Sequence, residues 1–270
     1  RSEPQPTGER NLSGMPELMR QRAKLLAVVP ARGGSKALPG KNTRPFVGFP
    51  LIAHTILFTK MCTQIDRCIV STDDSAIADV ARHFGAEVPF LRPLALAQDD
   101  TPMWAVVRHA LAWMGSEEAG RYEALVLLDP TSPAREPADV AVAWSRLQEC
   151  PSADGIISVS RPVFHPLWHA VIERDGWMAD LVDGAASFHR RQDLPPAYQI
   201  NGSLYLWRTE FVRRQEDSWR QGRHLLYEVP ALRAMSIDTL EEFEQAQQLV
   251  RHGLVTLPWL QDRQQCTCVR

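Results

Sequence analysis

The chain has 270 residues, of which 44% are hydrophobic and 23% are charged, and its net charge is −2. This length permits one large α/β domain, alone or with a projecting subdomain. A nearly neutral chain lacks the basic surface that nucleic acids require, and no apolar run is long enough to span a membrane. We therefore expect neither a nucleic acid nor a membrane as a partner.

Five cysteines are scattered along the chain, and their odd number argues against a disulfide framework. Free thiols are typical of a reducing compartment, so we expect a cytoplasmic protein. The polar residues 1–22 are predicted to form a disordered leader or to belong to a longer chain. Residues 256–270 are predicted to form a tail.

From Leu25 onward, short apolar runs alternate with helical patterns, which is typical of a parallel sheet covered by helices. The predicted strands are Leu25–Val29, Cys68–Ser71, Ala124–Leu128, Gly155–Val159 and Ser203–Trp207. The predicted helices are Pro50–Met61, Asp74–Phe84, Met103–Met114, Ala138–Leu147 and Leu240–Val250. An aspartate at 73 or 74 can cap the second helix.

The first strand leads into a loop with two adjacent glycines, Gly33 and Gly34, and three cations, Arg32, Lys36 and Lys41. Ligands of open α/β sheets bind beyond the carboxyl ends of such strands. Glycines permit positive φ and close backbone approach, which lets amide groups surround an anion. The loop therefore predicts a phosphate site. It is neither of two familiar phosphate loops, because the Walker and dinucleotide spacings are both absent.

The alternation breaks at Arg161–Tyr198, which is rich in proline and tryptophan and is too long for an ordinary connection. We interpret it as an inserted arm with short strands and a surface that faces a partner.

The loop at Leu25–Asn42, LLAVVPARGGSKALPGKN, resembles the signature of sugar-activating cytidylyltransferases, most closely the CMP-sialic acid synthetases, although Ala37 stands where the family usually has glycine. Further segments with family-like sequence follow in the family's order over roughly Leu25–Val250. They are PLIAHTI at Pro50–Ile56, VSTDD at Val70–Asp74, AEVPFLRPLALAQDDT at Ala86–Thr101, LLDPTSP at Leu127–Pro133, RRQD at Arg190–Asp193, NGSLY at Asn201–Tyr205 and SIDTLEEF at Ser236–Phe243.

This resemblance implies an α/β fold with a mainly parallel, Rossmann-like nucleotidyltransferase sheet flanked by helices. The domain would span residues 23–255 and carry an inserted dimerisation arm at about 161–198. The implied enzyme couples CTP to a 2-keto-3-deoxy sugar acid, such as a sialic acid-like nonulosonate, and releases the CMP-sugar and pyrophosphate. Mg²⁺ is the implied cofactor, and a homodimer is the implied assembly.

The resemblance also implies roles for individual residues. Arg32, Lys41 and Asp238 would be catalytic. The nucleotide would contact Ala31, Arg32, Gly33, Ser35, Lys41, Asn42, Arg92 and Thr101, with Arg92 on the cytosine. The acidic acceptor would contact Asp129, Arg190, Arg191 and Tyr205, since an arginine fork suits a carboxylate.

Two positions depart from the family at the implied metal site. Asp238 matches a metal ligand, but the family's other aspartate, two residues earlier, is Ser236 here. Asp129 replaces the usual glutamine of the QPTSP segment. Asp129 either supplies the carboxylate that Ser236 lacks, so that Asp129 and Asp238 share one Mg²⁺, or it only caps a turn. The departures leave open a cytidylyltransferase for KDO or a phosphonate acceptor, and a catalytically weak nucleotide-binding regulatory domain.

Overall fold

A computed structural model describes residues 25–115, 119–184 and 187–260. A six-stranded sheet with the order β10-β6-β9-β5-β1-β4 forms the centre of the molecule. Its strands are β1 (Leu25–Pro30), β4 (Ile65–Ser71), β5 (Ala124–Leu127), β6 (Gly155–Ser160), β9 (Gln199–Arg208) and β10 (His224–Glu228). Two small hairpins lie outside it, β2 (Pro45–Phe46) with β3 (Phe49–Pro50) and β7 (Val171–Arg174) with β8 (Trp177–Asp180).

Helices cover both faces of the sheet. They are α1 (Leu51–Met61), α2 (Ser75–His83), α3 (Met103–Trp113), α4 (Pro137–Glu149), α5 (Pro166–His169), α6 (Thr209–Arg214) and α7 (Leu240–Arg251). Strand β1 is buried on both sides, because Leu25, Ala27 and Val29 face one hydrophobic core and Leu26 and Val28 face the other. Burial on both faces explains its continuous apolar run.

Polar side chains cap the first turns of α2 and α7. Asp74 caps α2 by accepting from the backbone amides of Ala76 and Ile77, as predicted for this position. Helix α7 begins with a capping box in which Thr239 and Glu242 bond to each other's backbone amides. None of the helices in the described ranges is long and apolar enough to cross a membrane.

The predicted mainly parallel, helix-flanked sheet is confirmed, with two differences. Strand β9 is antiparallel to both of its neighbours, β5 and β6. The prediction also missed the edge strand β10, which pairs parallel to β6. β10 has only five residues, three half-buried and two exposed, so its apolar pattern is weak.

The segment Arg161–Tyr198 forms an arm that carries the β7–β8 hairpin. The hairpin turn consists of Asp175 and Gly176, both with positive φ, as a two-residue turn requires. Trp177 and Met178 are 79% and 78% exposed. At the neck of the arm, the Arg161 guanidinium lies 4.4 Å from the centre of the Tyr198 ring.

The packed core continues past residue 255. Trp259 is buried, and its indole N–H donates to Nδ1 of His54 over 3.0 Å. Residues 256–260, assigned to a tail from the sequence, thus pack on the domain. The predicted leader at 1–22 and the rest of the tail lie outside the described residues.

The Trp259 contact also sets the tautomer of His54. Because Nδ1 accepts from Trp259, Nε2 carries the proton and donates to the Phe46 carbonyl over 2.6 Å. Burial lowers the pKa of His54 from 6.5 to about 4. The folded protein therefore holds a neutral imidazole. In the unfolded chain, the same imidazole takes up a proton when the pH falls below 6.5.

We expect the stability that neutral His54 provides to be fully present above its pKa in the unfolded chain. This contribution is lost as the pH falls toward the pKa of His54 in the folded protein. Between about pH 7.5 and about pH 5, the free energy of unfolding should fall by about 2 kcal/mol from this group. Urea unfolding at both pH values measures the change. His54→Gln should flatten this difference, and equal pH slopes in wild type and variant would contradict the assignment.

Candidate active site

A cavity of about 460 Å³ opens at the carboxyl edge of β1, β4 and β5. It is lined by Pro30, Arg32, Ser35, Lys36, Ala37, Lys41, Asn42, Arg92, Leu96, Gln98, Asp99, Thr101, Met103, Val106, Asp129, Thr131, Ser236 and Asp238. Most residues implied in nucleotide binding, and both carboxylates implied in metal binding, therefore surround one space. The parallel strands produce this convergence, because their carboxyl ends meet at one edge of the sheet.

The loop after β1 is held by its backbone rather than by unusual glycine conformations. The amide of Ala31 donates to the Ser71 carbonyl, and the amide of Gly33 donates to Asp73 Oδ1 over 3.1 Å. Neither Gly33 nor Gly34 uses the positive φ that glycine permits. Gly33 is needed for space instead, because a Cβ there would lie 2.6 Å from Asp74 Oδ2.

Positive φ occurs in this loop at Gly40, with φ of 66°. Gly40 precedes a short 3-10 turn, Lys41–Thr43, and so directs Lys41 and Asn42 back toward the sheet. The side chain of Asn42 is buried and donates to the Arg32 carbonyl over 3.1 Å. This bond closes the loop on itself and fixes the spacing between its cations.

Lys41 and Asp238 form an ion pair, with 2.7 Å between Lys41 Nζ and Asp238 Oδ1. The lysine side chain is only 12% exposed. The Ser236 hydroxyl donates to the other carboxylate oxygen over 3.0 Å. Partial burial raises the pKa of Asp238, but the Lys41 ammonium outweighs it, so the pKa lies below its usual value. Asp238 is therefore ionised at neutral pH.

Asp99 faces the other two cations of the loop. One of its carboxylate oxygens accepts from Arg32, and the other pairs with the Lys36 ammonium. Asp99 lies in the family-like segment Ala86–Thr101, and no role was predicted for it.

Arg92 is buried, with 5% of its surface exposed. Its Nη2 donates to the Ser71 carbonyl over 2.6 Å and its Nη1 to the Leu96 carbonyl over 3.3 Å. Burial lowers the pKa of its guanidinium. Arg92 thus lines the cavity and also joins the end of β4 to the segment that follows it. Thr101 closes the same segment by donating to the Ala95 carbonyl over 3.5 Å.

Asp129 lies two residues past β5, half-buried at the cavity wall. One carboxylate oxygen accepts from the Thr131 amide over 3.3 Å, which is the contact expected of a turn cap. Burial raises the pKa of this carboxyl. Both interpretations of Asp129 stay open, because a carboxylate that caps through one oxygen can bind a cation through the other.

The sequence analysis missed Arg135, the buried cation that holds this region. Its guanidinium donates to the Asp129 carbonyl over 2.6 Å, to the Thr55 hydroxyl over 3.2 Å and to the Ser203 carbonyl. Its position two residues after the TSP of LLDPTSP was the available signal.

Three implied acceptor residues lie outside the main cavity. Arg190 is an exposed arm residue that pairs with Asp193 over 2.9 Å. Arg191 lines a second cavity, of about 580 Å³, within the arm. Tyr205 lies on β9, where its ring stacks on Trp207 with 5.4 Å between ring centres. A single chain does not bring the two arginines to the main cavity, whereas Tyr205 lies near its wall, since burial and the Asp129 carboxylate both raise the pKa of Tyr205.

The donor set of the main cavity fits a hard divalent cation. Within the described residues, no cluster of three or more His, Cys, Asp or Glu side chains could hold a metal. Asp129 and Asp238 nevertheless both line the cavity, and Mg²⁺ usually takes only one or two protein carboxylates, with phosphates and water as its other ligands.

Comparisons with known proteins find relatives of this chain. The family model described as cytidylyltransferase matches residues 26–255. A CMP-N,N'-diacetyllegionaminic acid synthase of Legionella pneumophila is 36% identical over 187 residues, 68% of this chain and 77% of the relative. A pseudaminic acid cytidylyltransferase of Campylobacter jejuni is 28% identical over 228 residues, 84% of this chain and 97% of the relative.

The fold also has solved counterparts. A CMP-2-keto-3-deoxy-manno-octonic acid synthetase complexed with CTP superposes with a TM-score of 0.64, covering 84% of this chain and 98% of that one. At 18% identity this likeness shows the shared fold.

Proposed function

The chain belongs to the cytidylyltransferase family and is a nucleotidyltransferase, and we propose that it uses CTP to activate a nonulosonic acid, a 2-keto-3-deoxy sugar acid of the sialic or legionaminic type. The products are the CMP-sugar and pyrophosphate. Two relatives of which this chain covers most of the length are named for such acids.

The observation that carries the proposal is the charge pattern of the main cavity. Three cations from the loop after β1 line one space together with three carboxylates, Asp99, Asp129 and Asp238. Nucleotidyl transfer depends on positioning the reactants and on neutralising phosphate charge. The cavity lining supplies cations for the phosphates and carboxylates for a divalent cation.

In the proposed reaction, the anomeric hydroxyl of the acid attacks the α-phosphorus of CTP, loses its proton and displaces pyrophosphate. Lys41 and Arg32 would bind the phosphates, and Ser35 with the backbone at Ala31 and Gly33 would shape the loop around them. Arg92 and Asn42 line the same space and would orient the cytosine and ribose.

Mg²⁺ would be held by Asp238, with Asp129 as the second carboxylate. When bound, the ion would supply positive charge at the phosphates. Asp238 is ionised, and its two carboxylate oxygens accept from Lys41 and from Ser236. The chain therefore presents a fixed negative group at this wall.

We place the acceptor beside β9 and the arm of a second subunit in a homodimer. The exposed apolar side chains of the arm support this assembly, and Arg190 and Arg191 would reach the partner's acceptor pocket from it. The cysteines of the described ranges, Cys62, Cys68 and Cys150, are free thiols, which supports a cytoplasmic setting.

The first prediction is CTP-dependent pyrophosphate release that requires Mg²⁺ and a sugar acid such as N-acetylneuraminate or legionaminate. A pyrophosphate-coupled assay across CTP, UTP, ATP and GTP measures it. Lys41→Ala should lower kcat/KM about 100-fold, as loss of one charge contact in a closed site does. The matched control Lys60→Ala, at the exposed end of α1, should keep wild-type rates.

Equal rates with all four nucleotides would overturn the proposal. Turnover with KDO or a phosphonate in place of the nonulosonic acids would identify the alternative acceptor class. CTP binding without turnover of any acid would instead indicate a regulatory domain.

The second prediction concerns Asp129. Asp129→Gln should lower kcat/KM at least about tenfold and raise the Mg²⁺ requirement, because even outer partners of a metal contribute that much. Adding Ser236→Asp should recover activity, since position 236 lies beside Asp238 and restores the carboxylate count. Two groups sharing one ion should be strongly non-additive in this cycle. Wild-type rates for Asp129→Gln would make Asp129 a turn residue.

The third prediction concerns the arm. Trp177→Lys places a charge on its most exposed aromatic side chain and should shift the dimer toward monomer in light scattering, raising the KM for the acid. Val142→Lys, at an exposed position on α4, is the matched control and should leave the assembly intact. A wild-type monomer with full activity would refute the shared acceptor site.

A further inference from the structure

Asp99 occupies the same donors that a bound phosphate needs. Its two carboxylate oxygens take one cation each, Arg32 and Lys36, and all three side chains line the main cavity. Its pKa lies below the usual value because Lys36 and Arg32 stabilise the charged form. A carboxylate and a phosphate oxygen compete for the same guanidinium and ammonium groups.

The segment that carries Asp99 is built as a separate unit. Residues 94–101 bond largely to themselves, through Gln98 to the Leu94 carbonyl and Thr101 to the Ala95 carbonyl. At its start, Arg92 joins the segment to β4. Asp99 makes the charged contact across the cavity to the loop after β1. Its neighbour Asp100 is exposed and forms no ion pair within the described residues.

We propose that Asp99 is an intramolecular competitor for the nucleotide phosphates that latches residues 94–101 against the phosphate loop. Phosphate binding displaces the carboxylate from Arg32 and Lys36, and phosphate departure lets it return. The inference rests on the proposed function in taking Arg32 as a phosphate ligand, and it adds Lys36 as a second one.

As a consequence, the Asp99 carboxylate weakens phosphate binding in the ground state. Both CTP and the departing pyrophosphate must replace the Asp99 carboxylate on these two cations, so neither is held as tightly as two free cations would hold it. Weaker binding of pyrophosphate favours turnover, because pyrophosphate must leave before the next cycle. The lost phosphate affinity does not lower kcat, since binding that is equal in the ground state and the transition state does not raise it.

Isothermal titration of the full chain with inorganic tripolyphosphate and with pyrophosphate tests the latch. Asp99→Asn should bind both anions about fivefold more tightly than wild type, the scale of two exposed ion pairs. Asp100→Asn removes the same charge one residue away and should change affinity by less than about twofold. A gain in affinity is informative because a folding defect cannot produce it.

Hydrogen exchange supplies an independent measurement. In Asp99→Asn, amides of residues 94–101 should exchange faster than in wild type without ligand, whereas Asp100→Asn should leave them unchanged. Unaltered or weaker anion binding by Asp99→Asn, or equal gains in both variants, would overturn the latch. Wild-type protein that binds tripolyphosphate but neither binds nor turns over CTP would instead refute the proposed function and leave the latch standing.

Discussion

The buried guanidinium of Arg135 is the interaction on which the site most depends. Burial lowers its pKa to about 10, while the nearby Asp129 and Asp139 carboxylates favour the charged form. A charge removed from water must have its hydrogen bonds satisfied, and this one bonds to α1, β9 and the turn after β5 at once. The turn that carries Asp129 is thereby held at one position relative to the sheet.

The rest of the cavity is an arrangement of opposed charges around that fixed turn. Lys41 is held by Asp238, and Arg32 with Lys36 is held by Asp99, so each cation already has a partner before any phosphate contacts it. Such pairing keeps the cations in place. It also means that ligand affinity reflects an exchange of partners rather than the capture of free charges.

Much of the fold was predictable because its signals are local. Strand β1 is a continuous apolar run since both of its faces are buried, and the Asp74 cap lies next to the helix that it begins. The need for glycine at position 33 has a tertiary cause. Gly33 avoids a clash with Asp74, a residue 41 positions away, which no local pattern displays.

The sequence alone determined the family resemblance, the phosphate loop and the identity of the charged residues, because those are properties of residue type and spacing. Only the tertiary structure decided which charges meet. The direction of β9, the partners of Asp99 and the position of Arg135 each depend on contacts between distant segments. Such contacts form only when packing brings distant elements together. Residue type and spacing along the chain therefore do not specify them.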